Sequence, residues 1–341
     1  MSFTQERREQ IKGYILEKIT ERQDGIAKKT ADNFQISLNS VYRYFREMEK
    51  DGIIKKGEKG YRLVNRQKTI LLKRSKGELL EEDSIFKEYI EEYIKGLQDN
   101  VVRIWQYSFM EMMNNAIDHS LAEDVYLIVS QNYMDTTIMI VDNGVGIFQK
   151  IKDYYQYPEL EDAIQELFKG KLTTDSEHHS GEGIFFTSRI LDSFAAVSDG
   201  KIFAHDKFSE KLMDIAEEDA LKNLTDGRGT IIYMRLSNFS KKVLKEVFDM
   251  FSDTDGGFVK TRVPVKNIFE MDPVSRSQAK RLCQRLDKFR EVELDFEGVQ
   301  DIGQGFAHEL FVVFQNAHKE VRLTPVNASA DIEKMIHHVK G

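Results

Sequence analysis

The stretch Val141-Asp142-Asn143-Gly144-Val145-Gly146-Ile147 closes an alternating apolar segment, residues 126–141, whose alternation predicts two β-strands. It therefore places one carboxylate and two glycines at the edge of a predicted sheet. Glycines let the backbone approach a flat ligand because no Cβ stands in the way, and the Asp142 carboxylate can accept a hydrogen bond from an exocyclic amine. Asp-Asn-Gly is also ordinary turn chemistry, so the neighbouring segments decide between a turn and a ligand site.

A predicted helix precedes these strands and carries polar residues at helical spacing. Apolar positions 109, 110, 113, 116 and 117 fit one helix face, and Glu111 and Asn115 lie one turn apart. His119, or alternatively Asp118, continues the same stripe. The Asn115 oxygen suits Mg²⁺, which prefers oxygen ligands, while Glu111 can orient a water molecule and take its proton. The alternative is a solvated polar face, which the following hairpin and Asp-Asn-Gly-Val-Gly stretch disfavour.

A glycine-rich turn follows the strands. Ser180-Gly181-Glu182-Gly183 opens an apolar periodic segment, residues 184–194, that we expect to be helical. Free N–H groups at a helix start favour anions, so this turn predicts a phosphate-binding loop, with a flexible loop as the alternative. A second turn, residues 226–229, precedes an alternating strand over residues 231–236, and the Thr230 hydroxyl is placed to reach a ligand.

The ordered motifs E-x-x-x-N, D-x-G-x-G, G-x-G and G-T resemble the GHKL superfamily of ATP-binding proteins, which includes gyrase, histidine kinases and anti-sigma factor kinases. The resemblance covers roughly residues 85–240 and implies an α/β sandwich that binds ATP and Mg²⁺ between sheet and helices. It implies that Glu111 is the water-activating base and that Asp142 reads adenine. Residues 148–180 would form a lid containing a helix at Leu160–Lys169, and two histidines at 178 and 179 are expected to be polar loop residues. It further implies that Asn115 binds Mg²⁺ and that His119, Gly144 and Gly146 line the nucleotide pocket. Ser180, Gly181, Glu182 and Gly183 would contact the phosphates, and Thr230 would also contact the ligand.

Composition sets the limits of these predictions. A chain of 341 residues with 41% hydrophobic residues is expected to form two or three domains. No apolar run is long enough to span a bilayer, and the N-terminus does not resemble a signal peptide. The single cysteine, Cys283, excludes an internal disulfide framework and predicts a cytoplasmic protein. The net charge of −8 gives the chain as a whole no electrostatic affinity for nucleic acid.

The first 66 residues differ in charge from the rest, because they hold 15 Lys and Arg against 10 Asp and Glu. Their pattern predicts an amphipathic first helix, a short second helix and a third helix capped by Ser37. A hairpin with a basic tip follows. This order resembles a winged helix-turn-helix, which implies that the third helix enters the DNA major groove, although a winged helix that binds protein is the alternative. The implied DNA contacts are Asn39, Ser40, Arg43, Tyr44 and Arg46 on the helix and Lys56 and Lys59 in the wing.

The C-terminal part, residues 257–330, predicts a strand over residues 258–263, a helix over 275–289, a strand over 292–296 and a helix that starts at Phe306. This pattern resembles a small STAS-like domain of unknown function, often fused behind a GHKL ATPase. The stretch Asp301-Ile302-Gly303-Gln304-Gly305 lacks the serine or threonine that related antagonists offer to a kinase. Phosphotransfer within the chain is therefore disfavoured, and a protein partner is the expected role of this domain.

We therefore expect a multidomain α+β protein. It has a winged helix at 1–66, a GHKL domain at 67–240 with a helical connector at 67–100, and a STAS-like domain at 257–330. The expected function is an ATP-binding, ATP-hydrolysing transcriptional regulator whose nucleotide state sets its domain arrangement. Two alternatives stay open: an anti-sigma-type kinase that phosphorylates a separate partner, and an interaction switch that holds ATP without hydrolysing it. By analogy with both families, the protein is expected to form homodimers.

Overall fold

The computed structural model describes residues 4–57, 60–79, 81–172, 181–204, 229–253, 255, 257–269 and 271–341. Over these residues the chain is a mixed α/β protein whose strands form three separate sheets. Each sheet belongs to one region of the sequence, and the three regions are described in chain order below. Among the described residues, no helix combines the length and apolarity needed to cross a membrane.

The N-terminal region folds as three helices followed by a two-stranded antiparallel hairpin. Ser37 caps the third helix as predicted, because its hydroxyl accepts a hydrogen bond from the Ser40 N–H at 3.2 Å. The apolar stripes of the helices meet in a core of their own. The predicted order of three helices and a hairpin is confirmed. The elements are α1 (Gln5–Thr20), α2 (Ile26–Phe34), α3 (Leu38–Lys50), β1 (Ile54–Gly57) and β2 (Gly60–Leu63).

The central region contains a six-stranded sheet in which every neighbouring pair of strands is antiparallel. Its order is β3-β4-β5-β8-β6-β7, so strands distant in sequence become neighbours. The predicted hairpin over residues 126–141 is confirmed as β4 and β5. The strands are β3 (Arg66–Lys73), β4 (Asp124–Gln131), β5 (Asp135–Asp142), β6 (Ser193–Ser198), β7 (Lys201–Ala204) and β8 (Thr230–Ser237).

Helices cover one face of this sheet. Ile138 and Ile140, which alternate on β5, are buried against Trp105 and Phe109 of the long helix α6. The predicted lid helix at Leu160–Lys169 is confirmed as α8. The helical elements are α4 (Glu82–Ile85), a π-helical turn (Phe86–Ile90), α5 (Glu91–Ile94), α6 (Asp99–Asn114), a second π-helical turn (Asn115–His119), α7 (Ile147–Tyr155), α8, α9 (Gly183–Ile190) and α10 (Leu244–Phe251).

The C-terminal region contains a three-stranded parallel sheet of order β11-β10-β9 with helical crossovers. Ser275 caps the helix that begins at Arg276, because its hydroxyl accepts a hydrogen bond from the Gln278 N–H. The elements are β9 (Lys260–Pro264), α11 (Val265–Ile268), α12 (Arg276–Cys283), a 3₁₀ turn (Leu286–Lys288), β10 (Glu291–Asp295), α13 (Gln304–His308), a π-helical turn (Glu309–Phe314), α14 (Gln315–Ala317), β11 (Arg322–Val326) and α15 (Ala330–Lys340).

The central and C-terminal regions share one continuous hydrophobic core. Phe258, just before β9, packs on Phe185 of α9 with ring centroids 4.7 Å apart, and Phe248 of α10 packs on Phe186 at 4.2 Å. The sequence predicts a division between residues 240 and 257, and over this interval the chain passes from one sheet to the next without a break in packing.

The sequence prediction was wrong for several segments. The helical connector predicted over residues 67–100 is wrong at its start, because β3 pairs with β4 along all eight of its residues. Basic and threonine residues on this exposed edge strand hide its alternation, as is common on sheet edges. The helix predicted over 184–194 ends at Ile190, since Phe194 already belongs to β6.

The C-terminal prediction also needs correction. The helix predicted over residues 275–289 ends at Cys283, and the chain turns at Arg285, whose φ is 60°. Strand β11 and helix α15 were not predicted, and the expected end at residue 330 is too early. Ile332 and Ile336 of α15 are buried in the shared core, so the region extends through this last helix.

Candidate functional site

Asp142 is the last residue of β5 and lies beside Thr230, the first residue of β8. Its side chain is only 4% exposed, and its Oδ1 accepts a hydrogen bond from the Gly144 N–H at 2.9 Å. Burial raises the pKa of Asp142 to about 6, although hydrogen bonds from Gly144 and Thr230 act in the opposite direction. A buried carboxylate that titrates near neutrality is typical of a functional site.

The two glycines after Asp142 are required by the protein's own packing. A Cβ on Gly144 would lie 2.0 Å from the Ser120 carbonyl oxygen, and the Val145 N–H donates to that same oxygen at 2.9 Å. Gly146 has φ 82°, and a Cβ there would approach the Ser198 Oγ to 2.8 Å. Each glycine thus accommodates a neighbouring part of the chain, and Gly146 also borders the cavity described next. Their approach to a ligand stays a prediction.

A cavity of about 240 Å³ opens between the end of β5, the C-terminal half of α6 and helices α7 to α9. Five separate stretches of sequence converge on it, because β8 returns beside β5 while α6, α8 and α9 pack around the same end of the sheet. The predicted site residues that line it are Glu111, Asn115, His119, Asp142, Gly146, Gly181, Gly183 and Thr230. Gly144 and Glu182 do not line it, and Ser180 and residues 226–228 fall outside the described residues.

The polar stripe on α6 continues through the π-helical turn and faces this cavity. Glu111, Asn115 and His119 all line it, whereas Asp118 is exposed on the outer side. Of the two alternatives for the third residue of the stripe, His119 lines the cavity and Asp118 does not. A Cβ on Gly183 would lie 2.1 Å from the Glu111 Oε2, so this carboxylate lies against the first residue of α9, the positive end of that helix.

Negative charge is concentrated at this end of the cavity. The Tyr107 hydroxyl lies one turn before Glu111, and its pKa is raised by burial and then by the charges of Glu111 and Glu182. A cation bound beside Glu111 would therefore enter an electrostatically favourable position.

Sequence reasoning missed Lys150 and one wall of the cavity. Lys150 on α7 lines the cavity, and its Nζ donates a hydrogen bond to the His119 carbonyl oxygen at 2.8 Å. The missed wall is formed by Leu167, Gly170 and Leu172, at the end of α8 and just beyond it. The position of Lys150 one turn into the helix after Gly146 was the available signal, whereas the wall depends on how α8 packs.

The oxygen atoms in the cavity wall suit a metal ion that binds together with a phosphate group. Asn115 is half-buried in the cavity wall and offers an amide oxygen. Within the described residues, no three His, Cys, Asp or Glu side chains gather as a metal site. Because Mg²⁺ is commonly held by one or two side-chain oxygens together with phosphates and water, Asn115 fits such an ion as part of a nucleotide complex.

The N-terminal region presents a second candidate surface on α3 and the hairpin. Asn39, Arg43 and Arg46 are exposed, and Lys56 is exposed on β1. Ser40 is half-buried, and its hydroxyl lies 3.0 Å from that of Ser37. Lys59 falls outside the described residues.

The prediction that Tyr44 contacts DNA is wrong. Its side chain is 0% exposed and lies in the core of the N-terminal region. Tyr44 follows Val41 by three residues and precedes Met48 by four, so helical spacing places it on the buried stripe. Tyr42, which is 49% exposed, presents the neighbouring aromatic ring to the surface.

Comparison with protein families matches residues 278–333 to a family described as a STAS-like domain of unknown function (DUF4325). The matched segment includes β10, β11 and the helices between them. A search of curated proteins gives no match for the chain. Residues 278–333 of the C-terminal region are thus a STAS-like domain, as the sequence pattern predicts.

Proposed function

We propose that this protein is an ATP-binding, Mg²⁺-dependent ATPase of the GHKL type that binds DNA through a winged helix at its N-terminus. Nucleotide binding and hydrolysis would set the arrangement of the flanking regions and thereby regulate transcription. The observation that carries the proposal is the convergence of eight predicted residues, from four separate motifs, on one cavity. That convergence is the arrangement which the GHKL resemblance implies.

The chemistry of the cavity supports a bound adenine nucleotide. Asp142 is a hydrogen-bond acceptor at the buried end of β5 and suits the adenine amino group. Asn115 would hold Mg²⁺, and this ion would neutralise charge on the phosphates. Glu111 is placed to orient a water molecule and take its proton, while Lys150 supplies a cation on the facing helix.

The exposed cations of the N-terminal region support the DNA part of the proposal. Arg43 and Arg46 lie on the outer face of α3, and Lys56 lies on the adjacent hairpin. This region carries excess positive charge in an otherwise acidic chain, and a basic patch of that kind attracts phosphate backbones.

Two alternatives use the same cavity. An anti-sigma-type kinase would transfer the γ-phosphate to a separate partner, since residues 301–305 of the STAS-like domain contain no serine or threonine. A non-hydrolysing switch would only hold ATP. Glu111 in the cavity wall favours hydrolysis over holding.

The deciding experiment is a turnover assay with ATP labelled on the γ-phosphate, run with and without genomic DNA fragments. We expect labelled free phosphate that depends on Mg²⁺. Label recovered on a protein added from a cell extract would favour the kinase, and bound ATP that stays intact would favour the switch. Asp142→Asn should lose ATP binding, whereas Asp135→Asn, at the opposite end of the same strand, should keep it.

DNA retention is tested in the same preparation. Arg43→Ala with Lys56→Ala should weaken binding to DNA fragments and reduce the slope of log affinity against log salt by roughly one for each phosphate that the protein no longer neutralises. Lys245→Ala, on exposed α10 of the central region, is the matched control. Unchanged retention in the double variant would move the N-terminal region to protein binding.

A further inference from the structure

A buried ionic cluster joins the central region to the STAS-like domain. Lys169 and Glu166, one turn apart at the end of α8, are 0% and 1% exposed, and their Nζ and Oε1 atoms are 2.5 Å apart. Lys169 also donates to the Gln284 carbonyl oxygen of the STAS-like domain at 2.8 Å. Burial lowers the pKa of Lys169 and raises that of Glu166, each opposed by the charge of the other.

Arg285 of the STAS-like domain completes this cluster. Its Nε lies 3.1 Å from the second carboxylate oxygen of Glu166, and its guanidinium lies 4.9 Å from the centroid of the Tyr155 ring on α7. It also donates to the Lys171 carbonyl oxygen. One side chain of the C-terminal domain thus contacts α7, α8 and the segment after α8.

Further contacts hold the same segment, residues 166–172, against the STAS-like domain. Thr261 of β9 donates to the Lys169 carbonyl oxygen at 2.7 Å, and the Lys171 Nζ donates to the Lys288 carbonyl oxygen at 2.9 Å. The C-terminal region therefore contacts both the backbone and the side chains of this segment.

Three residues of the same segment, Leu167, Gly170 and Leu172, form a wall of the candidate nucleotide cavity. Gly170 has φ 85°, and a Cβ there would lie 2.8 Å from both Phe185 and Phe258. This conformation is open to glycine and strained for other residues. The wall thus fits between α9 and the STAS-like domain with little room to shift.

We propose that the STAS-like domain completes the nucleotide site, with Arg285 as a positioning residue that holds the cavity wall at residues 166–172 through Glu166. The inference rests on the proposed function and assigns this domain a role inside the protein. Loss of Arg285 leaves Glu166 paired with Lys169 but removes the guanidinium from the second carboxylate oxygen of Glu166 and from the Lys171 carbonyl oxygen. Loss of Arg285 is therefore transmitted to Glu166 and to the wall, and occupancy of the cavity must in turn stabilise the STAS-like contacts.

The test compares Arg285→Ala and Arg285→Lys with Arg322→Ala, which removes an exposed arginine paired with Glu291 on the same domain. Affinity for ADP with Mg²⁺ is measured by calorimetry well below the unfolding temperature of each variant. We expect Arg285→Ala to weaken binding about tenfold, Arg285→Lys to recover part of the loss, and Arg322→Ala to match the wild type.

A second measurement, hydrogen exchange, uses the wild-type protein alone. Hydrogen exchange of the wild-type chain should slow on ADP addition at residues 281–288, which do not line the cavity, and stay unchanged at Arg322–Val326. Protection confined to cavity residues, or wild-type affinity in Arg285→Ala, would overturn the inference while leaving nucleotide binding in place. A wild-type chain that does not bind ADP would instead refute the proposed function.

Discussion

The Asp142 carboxyl group gives a direct test of the adenine assignment, because its charge state decides whether it accepts a hydrogen bond. Burial raises the pKa of Asp142 to about 6, so the group changes charge in an accessible pH range. Only the ionised form offers two acceptor oxygens to an amino group. We therefore expect affinity for adenine ligands to fall as the pH drops below 6.

The expected loss of adenine affinity follows from the fraction of Asp142 that is ionised at each pH. With a pKa of about 6, nearly all Asp142 is ionised at pH 8 and about one-tenth at pH 5. Affinity should therefore decrease about tenfold over this range, or about 1.4 kcal/mol. Adenosine is the ligand to use, since phosphate groups titrate near pH 6 themselves. Ligand-observed NMR provides the affinities.

The same pKa also affects folding. Because the pKa of Asp142 is higher in the folded chain than its ordinary value of 3.8, protonation stabilises the folded state. This stabilisation is complete below about pH 4 and is lost as the pH rises through 6, a change of roughly 3 kcal/mol. The difference in unfolding free energy between the wild type and Asp142→Asn should follow this course in denaturant titrations.

Asp135→Asn is the control for both measurements, because it changes an aspartate at the other end of β5. Its adenosine affinity should show the wild-type pH dependence. Adenosine affinity that is constant from pH 8 to pH 5, or that increases on acidification, would refute the role of Asp142 as an acceptor for adenine.

Three further predictions concern single residues. Glu111→Gln should reduce ATP turnover by at least about 100-fold while ATP affinity changes little, since the substitution removes the proton acceptor and keeps the side-chain shape. Phosphate release measures turnover and calorimetry measures affinity. Normal turnover in this variant would exclude Glu111 as the general base. Gly144→Ala should lower the unfolding free energy by about 1–3 kcal/mol, because the added Cβ would meet the Ser120 carbonyl oxygen. Thermal denaturation measures the change, with Gly13→Ala as the control because Gly13 has open space around it. Equal stability of the two variants would contradict the argument. Tyr44→Phe should leave DNA retention unchanged and keep or increase the unfolding free energy, because the buried Tyr44 hydroxyl has no hydrogen-bond partner in the described part of the chain. Weaker DNA retention by this variant would show that Tyr44 contacts DNA.

Much of the candidate site could be predicted because its motifs are local. Glu111 and Asn115 are fixed relative to each other by helical spacing, and Asp142 follows from the end of an alternating strand. The same locality explains the failures. Tyr44 was assigned to the surface by residue type although its spacing places it on the buried stripe, and β3 is an edge strand whose basic residues mask its alternation.

Hydrophobic periodicity, capping residues and turn chemistry act within a few residues, so the kinds of elements and the polar residues that each one carries follow from local sequence. The tertiary structure decided which of them meet. It placed β8 between β5 and β6, brought Lys150 and the wall at residues 166–172 to the cavity, and joined the STAS-like domain to that wall through Arg285. The contacts between residues 166–172 and the STAS-like domain link positions more than a hundred residues apart. All of these arrangements depend on the complementary packing of whole elements, which no local pattern of residues encodes.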